Sequence, residues 1–181
     1  MSPWEQHPEW RERDLWFDFS RAVEAYKFDG AEHGMGHRLK AVDFIVEWPH
    51  QLWLIEVKDP ESGSIPEMIQ EEVRLGFLQK LESGTLIEKH LFPKLRDSLI
   101  YLGMDRGIAA KPLRYLVLIG LERLDPPMLD SLKNRLWRQG WAAGPKRGWR
   151  KSFDVVMLTP SLWNRVLPYC PVTRISKIGK Q

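Results

Sequence analysis

The chain is poor in cysteine. Cys170 stands alone among 181 residues, which excludes an internal disulfide and any cysteine-built metal cluster. No apolar run approaches the ~18 residues of a membrane span. The opening Met1-Ser2-Pro3-Trp4-Glu5 lacks the basic-then-apolar order of a secretory leader. Internal repeats, low-complexity tracts and linkers are also missing, so a single domain over residues 1–181 is expected, in the cytoplasm, with a flexible polar arm at 1–12. Acid is scarce in one region only. Residues 133–181 carry eleven Lys and Arg against Asp154 alone, a net +10, while residues 1–132 carry a net −7. The total is only +3, yet so uneven a distribution suggests a polyanionic partner for the basic part.

Hydrophobic residues make up 43% of the chain and charged residues 28%, the ordinary balance of a globular protein with an adequate core. Apolar residues at helical spacing predict helices over 14–27, 66–80 and 86–102. Asp125-Pro126 and Thr159-Pro160 combine a capping residue with Pro at the first helical position, and predict helices over 125–138 and 159–167. Residues 113–121 and 153–158 are nearly continuous apolar runs, typical of strands buried on both faces. A short strand within 31–40 and an edge strand at 171–176 complete an α/β domain around a central mixed sheet flanked by helices. His33 and His37 would share a face of a helix, but Gly34 and Gly36 between them oppose one, and no third ligand has matching spacing for zinc.

The densest chemical signal lies at residues 41–59. Two alternating runs rich in Val, Ile, Phe and Trp flank Pro49-His50 and read as a hairpin. An even loop makes paired positions sum to 99, which sets Asp43 opposite Glu56. Pro49 disfavours a two-residue primed turn, so four loop residues are expected. Like charges facing across strands are destabilising unless a cation lies between them. Lys58, on the face of Glu56, is one candidate and a divalent metal the stronger one.

Asp43 followed by Glu56-Val57-Lys58 at the end of an apolar strand resembles the motif of the PD-(D/E)xK nuclease superfamily, although Val42 stands where that family has Pro. The resemblance implies a restriction-endonuclease-like fold and a DNA endonuclease that uses Mg²⁺ or Mn²⁺. It implies that Asp43 and Glu56 bind the metal with the Val57 carbonyl, and that Lys58 orients or activates the attacking water. It also implies an acid on the first helix, best matched by Glu24, with Glu32 and Asp18 as rivals, and a basic residue near the site on the helix after the strand, matched by Lys94.

A second signal is the stretch 138–151, which interleaves cations, glycines and two tryptophans. Lys146, Arg147, Arg150 and Lys151 suit phosphates, and Trp149 suits stacking on a base. No base-reading module accompanies them. The competing expectation is a catalytically inactive subunit of the same fold that binds nucleic acid or scaffolds a larger complex. RNA is the alternative substrate, and a homodimer the simplest way to cut both strands of a duplex.

Overall fold

The computed structural model describes residues 1–30, 38–139 and 142–178. Glu32, His33 and His37, with most of the strand expected at 31–40, lie outside the described residues.

Five strands form the central sheet: β3 (Glu24–Lys27), β4 (Phe44–Glu47), β5 (Leu52–Lys58), β6 (Leu113–Ile119) and β7 (Phe153–Leu158), hydrogen-bonded in that order. β3, β4 and β5 run antiparallel, whereas β5, β6 and β7 are parallel. The sheet is therefore mixed, as expected. The β4–β5 hairpin has a four-residue loop, with Trp48 N–H donating to the Gln51 carbonyl at 2.9 Å. Ile45 pairs with Leu54 and Glu47 with Leu52, the register expected from the alternation.

Both faces of this sheet are covered. Ile45, Leu54, Tyr115, Val117 and Val155 share one core with leucines of α3 (Phe92–Asp105) and α4 (Pro126–Arg138). Phe44, Val46, Trp53, Ile55 and Leu116 share the other with Trp163 of α5 (Pro160–Val166) and Phe17 of β2 (Leu15–Phe17). The Trp53–Ile55–Val57 face of β5 therefore packs on the second core and the Leu52–Leu54 face, which carries Glu56, on the first. Helices on the Leu52–Leu54 face bury the acids as well.

β2 belongs to a small antiparallel sheet with β1 (Arg11–Glu12) on one side and β8 (Val172–Arg174) on the other. The helix expected over 14–27 is absent, and that segment forms β2 and β3 instead. Leu15, Trp16 and Phe17 are all buried, which one helical stripe cannot achieve but a strand covered on both faces can. The C-terminal strand joins this small sheet rather than the edge of the large one. Residues 1–12, expected as a loose arm, contain α1 (Pro3–Gln6), a 3₁₀ turn at Pro8–Trp10 and β1. Trp10 stacks on His7 at 4.0 Å and packs on the second core.

The crossover from β5 to β6 carries α2 (Glu67–Glu82), a π-helical turn at Ile87–Leu91, and α3. Pro93 explains the π turn. It has no N–H to give the carbonyl four residues back. That carbonyl, on Lys89, accepts the Lys40 ammonium at 2.9 Å instead. Gly84 at φ 78 makes the left-handed turn between α2 and this segment. Among the described residues, no helix is long and apolar enough to cross a membrane.

Candidate active site

Asp43 is held on both flanks by backbone bonds. Its N–H donates to the Ile55 carbonyl at 3.0 Å, and its carbonyl accepts from Phe28 N–H at 2.8 Å. The β4–β5 ladder ends at Phe44–Ile55 and Asp43 lies just beyond it, yet its side chain meets Glu56 on the face covered by α3, where Lys94 reaches both. Asp43 is 3% exposed and Glu56 0%, so this is no solvated sheet face.

Asp43 Oδ2 accepts the Val57 N–H at 2.6 Å. A strand residue directs its N–H and C=O to the same side, so the Val57 carbonyl also points toward the Asp43 flank. Lys58 Nζ lies 2.5 Å from Glu56 Oε1. Lys94, from the first turn of α3, bridges the two acids, with Nζ 2.9 Å from Glu56 Oε1 and 3.4 Å from Asp43 Oδ1. The two contacts to Glu56 are ion pairs, whereas the Lys94 ammonium also donates a long hydrogen bond to Asp43 Oδ1. Neither Glu56 oxygen accepts a directed hydrogen bond, although both are buried.

Burial raises the pKa of Glu56, and the neighbouring Asp43 charge raises it further. Together they overcome Lys58 and Lys94 and push the group up to about 7. Asp43 is also raised, chiefly by burial. For Lys94, burial pulls downward, but the Glu56 and Asp43 charges outweigh it and hold the ammonium above its ordinary value.

Two acids join this site that sequence reasoning did not select. Glu12, Asp29 and Asp43 each offer a carboxylate oxygen within 4.8 Å of the others. Glu12 comes from β1 and also pairs with Lys27 at 2.8 Å, whereas Asp29 follows β3 and is exposed. Asp29-Gly30 reads in sequence as a helix end. The usable signal was the alternation of Tyr26 and Phe28, whose continuation puts Asp29 at the end of a strand. Nothing local marks Glu12. Glu12 also lies 4.0 Å from Arg13 Nε, so the carboxyls of Glu12, Asp29, Asp43 and Glu56 stand among the cations Arg13, Lys27, Lys58 and Lys94.

Glu24 is not brought here. It lies at the far end of β3, paired with Glu47, and its carboxylate is 3.6 Å from Arg106. Asp18 follows β2, where its side chain accepts the Ser20 N–H at 3.0 Å.

The basic loop is also elsewhere. Leu52 pairs with Leu113 and Leu113 with Phe153, so the 146–151 segment meets the sheet where β5 begins. Lys58, paired with Ile119, lies six residues along, roughly 20 Å at ~3.3 Å per residue. There Arg147, Trp149, Arg150 and Lys151 border an apolar cavity of about 450 Å³ floored by Leu99, Ile108 and Phe153. Lys146 is exposed beside them, while Gly140 and Trp141 of the same stretch lie outside the described residues.

No family model matches the chain, and no curated protein or solved structure matches it either.

Proposed function

We propose that this chain is a metal-dependent phosphodiesterase acting on DNA, built on the restriction-endonuclease-like fold that its Asp43/Glu56-Val57-Lys58 pattern resembles. The reading rests on one observation: Asp43 and Glu56, from adjacent strands, share a buried pocket with Lys58 and Lys94 at ion-pair distance. Burying charges costs several kcal/mol per ion on the order of magnitude, and hydrophobic replacements are often more stable. A constellation of four such groups in one pocket suits chemistry better than folding.

The residues fit a hard divalent cation. Oxygen donors are what Mg²⁺ and Mn²⁺ take, and Glu56 Oε2 is a buried oxygen without a directed donor. Asp43, Glu56 and the Val57 carbonyl would hold the ion, with Asp29 and Glu12 beside them. When bound, the ion supplies positive charge against the phosphate of the transition state. Lys58, half-exposed at the edge of the pocket, orients the attacking water. Lys94 neutralises the carboxylates and keeps them apart. Asp43, locked by Val57 N–H and two backbone bonds, needs no reorganisation during the reaction.

Incubating the protein with supercoiled plasmid in Mg²⁺, Mn²⁺ or EDTA tests this. Metal-dependent nicking that disappears in Asp43→Asn and Lys58→Ala is expected. Absence of nicking with intact DNA binding would favour a second reading, for which Lys94 is the specific observation. Its ammonium already bridges both acids, as a cation would, and suits a non-catalytic nucleic-acid-binding subunit of the same fold.

A further inference from the structure

We infer that the cleft between α2 and the end of β5 binds an unpaired nucleic-acid strand, its phosphates on the cations beside Lys58 and one base against the apolar side of α2. The inference rests on the phosphodiesterase reading and narrows its substrate to single-stranded segments.

One wall of the cleft is α2. Over sixteen residues it buries only Leu81, and Ile69 on it is 41% exposed. The helix stands off the body and leaves a cleft of about 460 Å³. Lys58 lines this cleft and pairs with Glu56, so the cleft adjoins the carboxylate cluster through that side chain. Lys80, His90 and Arg13 add cationic and hydrogen-bonding groups around it. Of the two acids present, Asp59 is held by both Arg174 nitrogens at 2.8 and 2.9 Å, which leaves Glu72 alone against the cations. Arg13 adopts φ 51, a left-handed conformation uncommon for a side-chain-bearing residue, at the turn that carries it to the cleft.

The α2 wall is apolar, formed by Ile69, Val73 and Phe77. Between Val73 and Phe77 lies Gly76. A Cβ added there would meet nothing within 4 Å, so packing inside the protein does not require glycine. Apart from proline, glycine is the least favourable residue for a helix interior. Its use here keeps the cleft open where a ligand can approach the backbone closely. Cations on one side and an apolar wall on the other match the phosphate and the base face of a nucleotide. In a duplex each base is stacked and paired and has no face free for that wall. An unpaired strand has one.

The test is fluorescence anisotropy of the full chain in EDTA with a labelled 20-mer, as single-stranded DNA, single-stranded RNA or blunt duplex. Either single strand should bind at least ~10-fold tighter than the duplex, driven by stacking and phosphate contacts. Gly76→Leu should weaken that binding about tenfold without lowering Tm, and Gly76→Ala should raise Tm by ~2–4 °C. Lys80→Ala with His90→Ala should weaken it and flatten its salt dependence. Equal or tighter duplex binding, an unchanged Gly76→Leu, or full displacement by a mononucleotide at the oligomer's own concentration would overturn the inference. Cleavage is scored separately in Mg²⁺. A strand bound in the cleft but never cut overturns the phosphodiesterase reading alone. Duplex cut equally well by Gly76→Leu overturns the cleft alone.

Discussion

At one end of the central sheet, where β5 ends, two carboxyls are buried and paired with lysines within 2.5–3.4 Å, and Asp43 is fastened by backbone bonds on both flanks. At the other end, where β6 and β7 begin, Lys146, Arg147 and Arg150 lie exposed on a loop that turns at Gly144 and Gly148, both with φ above +70°. Both ends carry cations, but in different surroundings. Buried, preorganised groups act in a low dielectric, where a charge developing on a substrate is strongly stabilised. Exposed cations are screened by salt and give affinity without geometry. The opposite end of the sheet is where chemistry is expected, and the loop is expected only to attract polyanions.

The sharpest way to break this comparison is Asp43→Asn, which keeps the side-chain shape and removes the charge. Metal-dependent plasmid nicking should fall by at least ~10³-fold, the scale of losing a preorganised electrostatic contact, with circular dichroism unchanged. Stability is next. Arg174 bonds Asp14, Asp59 and the Glu61 and Gly120 carbonyls, and so ties β8 to the loop that follows Lys58. Arg174→Ala leaves buried Asp59 without its ion partner and Asp14 with only its bonds from Gly63 and Ser176, and should cost about 3 kcal/mol in urea unfolding. A loss under ~1 kcal/mol would mean that this end of the sheet is not fastened in this way.

A smaller effect is expected at the loop. Replacing Lys146, Arg147, Arg150 and Lys151 together by Gln should weaken DNA binding about tenfold and reduce the slope of log K against log salt by up to ~3. Nicking at saturating DNA should be unchanged, and a fall there would put the loop into the chemistry. Least of all is the pH effect. Glu56 keeps its proton up to about 7 when folded, against 4.5 ordinarily. The stability it lends is complete below 4.5 and lost as pH rises through about 7. His90, lowered by burial and by the nearby lysines, acts with the opposite sign, so the informative quantity is wild type minus Glu56→Gln. In EDTA that difference in Tm should shrink by a few degrees between pH 5.5 and 8, while the loop variant keeps the wild-type slope.

The hairpin was legible because it is local. Its alternation and a four-residue loop set Asp43 against Glu56 without reference to anything outside residues 41–59. The helices from Glu67 onward were legible from their spacing and their Pro-marked starts. Residues 14–27 were not. Leu15, Phe19, Ala22 and Tyr26 mimic a helical stripe, and only pairing with β1, β8 and β4 makes extended structure the better choice. The same error placed Glu24 on a helix beside the metal and overlooked Asp29 and Glu12, whose meeting with Asp43 joins segments from both sheets.

Local sequence alone was enough to determine the register of two strands and the shared face of their acids and Lys58, because side chains in a strand repeat every two residues and a short loop cannot slip. The tertiary fold decided the rest. It buried those acids under α3, brought Lys94 between them, held α2 off to leave a cleft, and sent the basic loop to the far end of the sheet. Those outcomes depend on which elements pack together and in which direction parallel strands run, and no short stretch of residues encodes either.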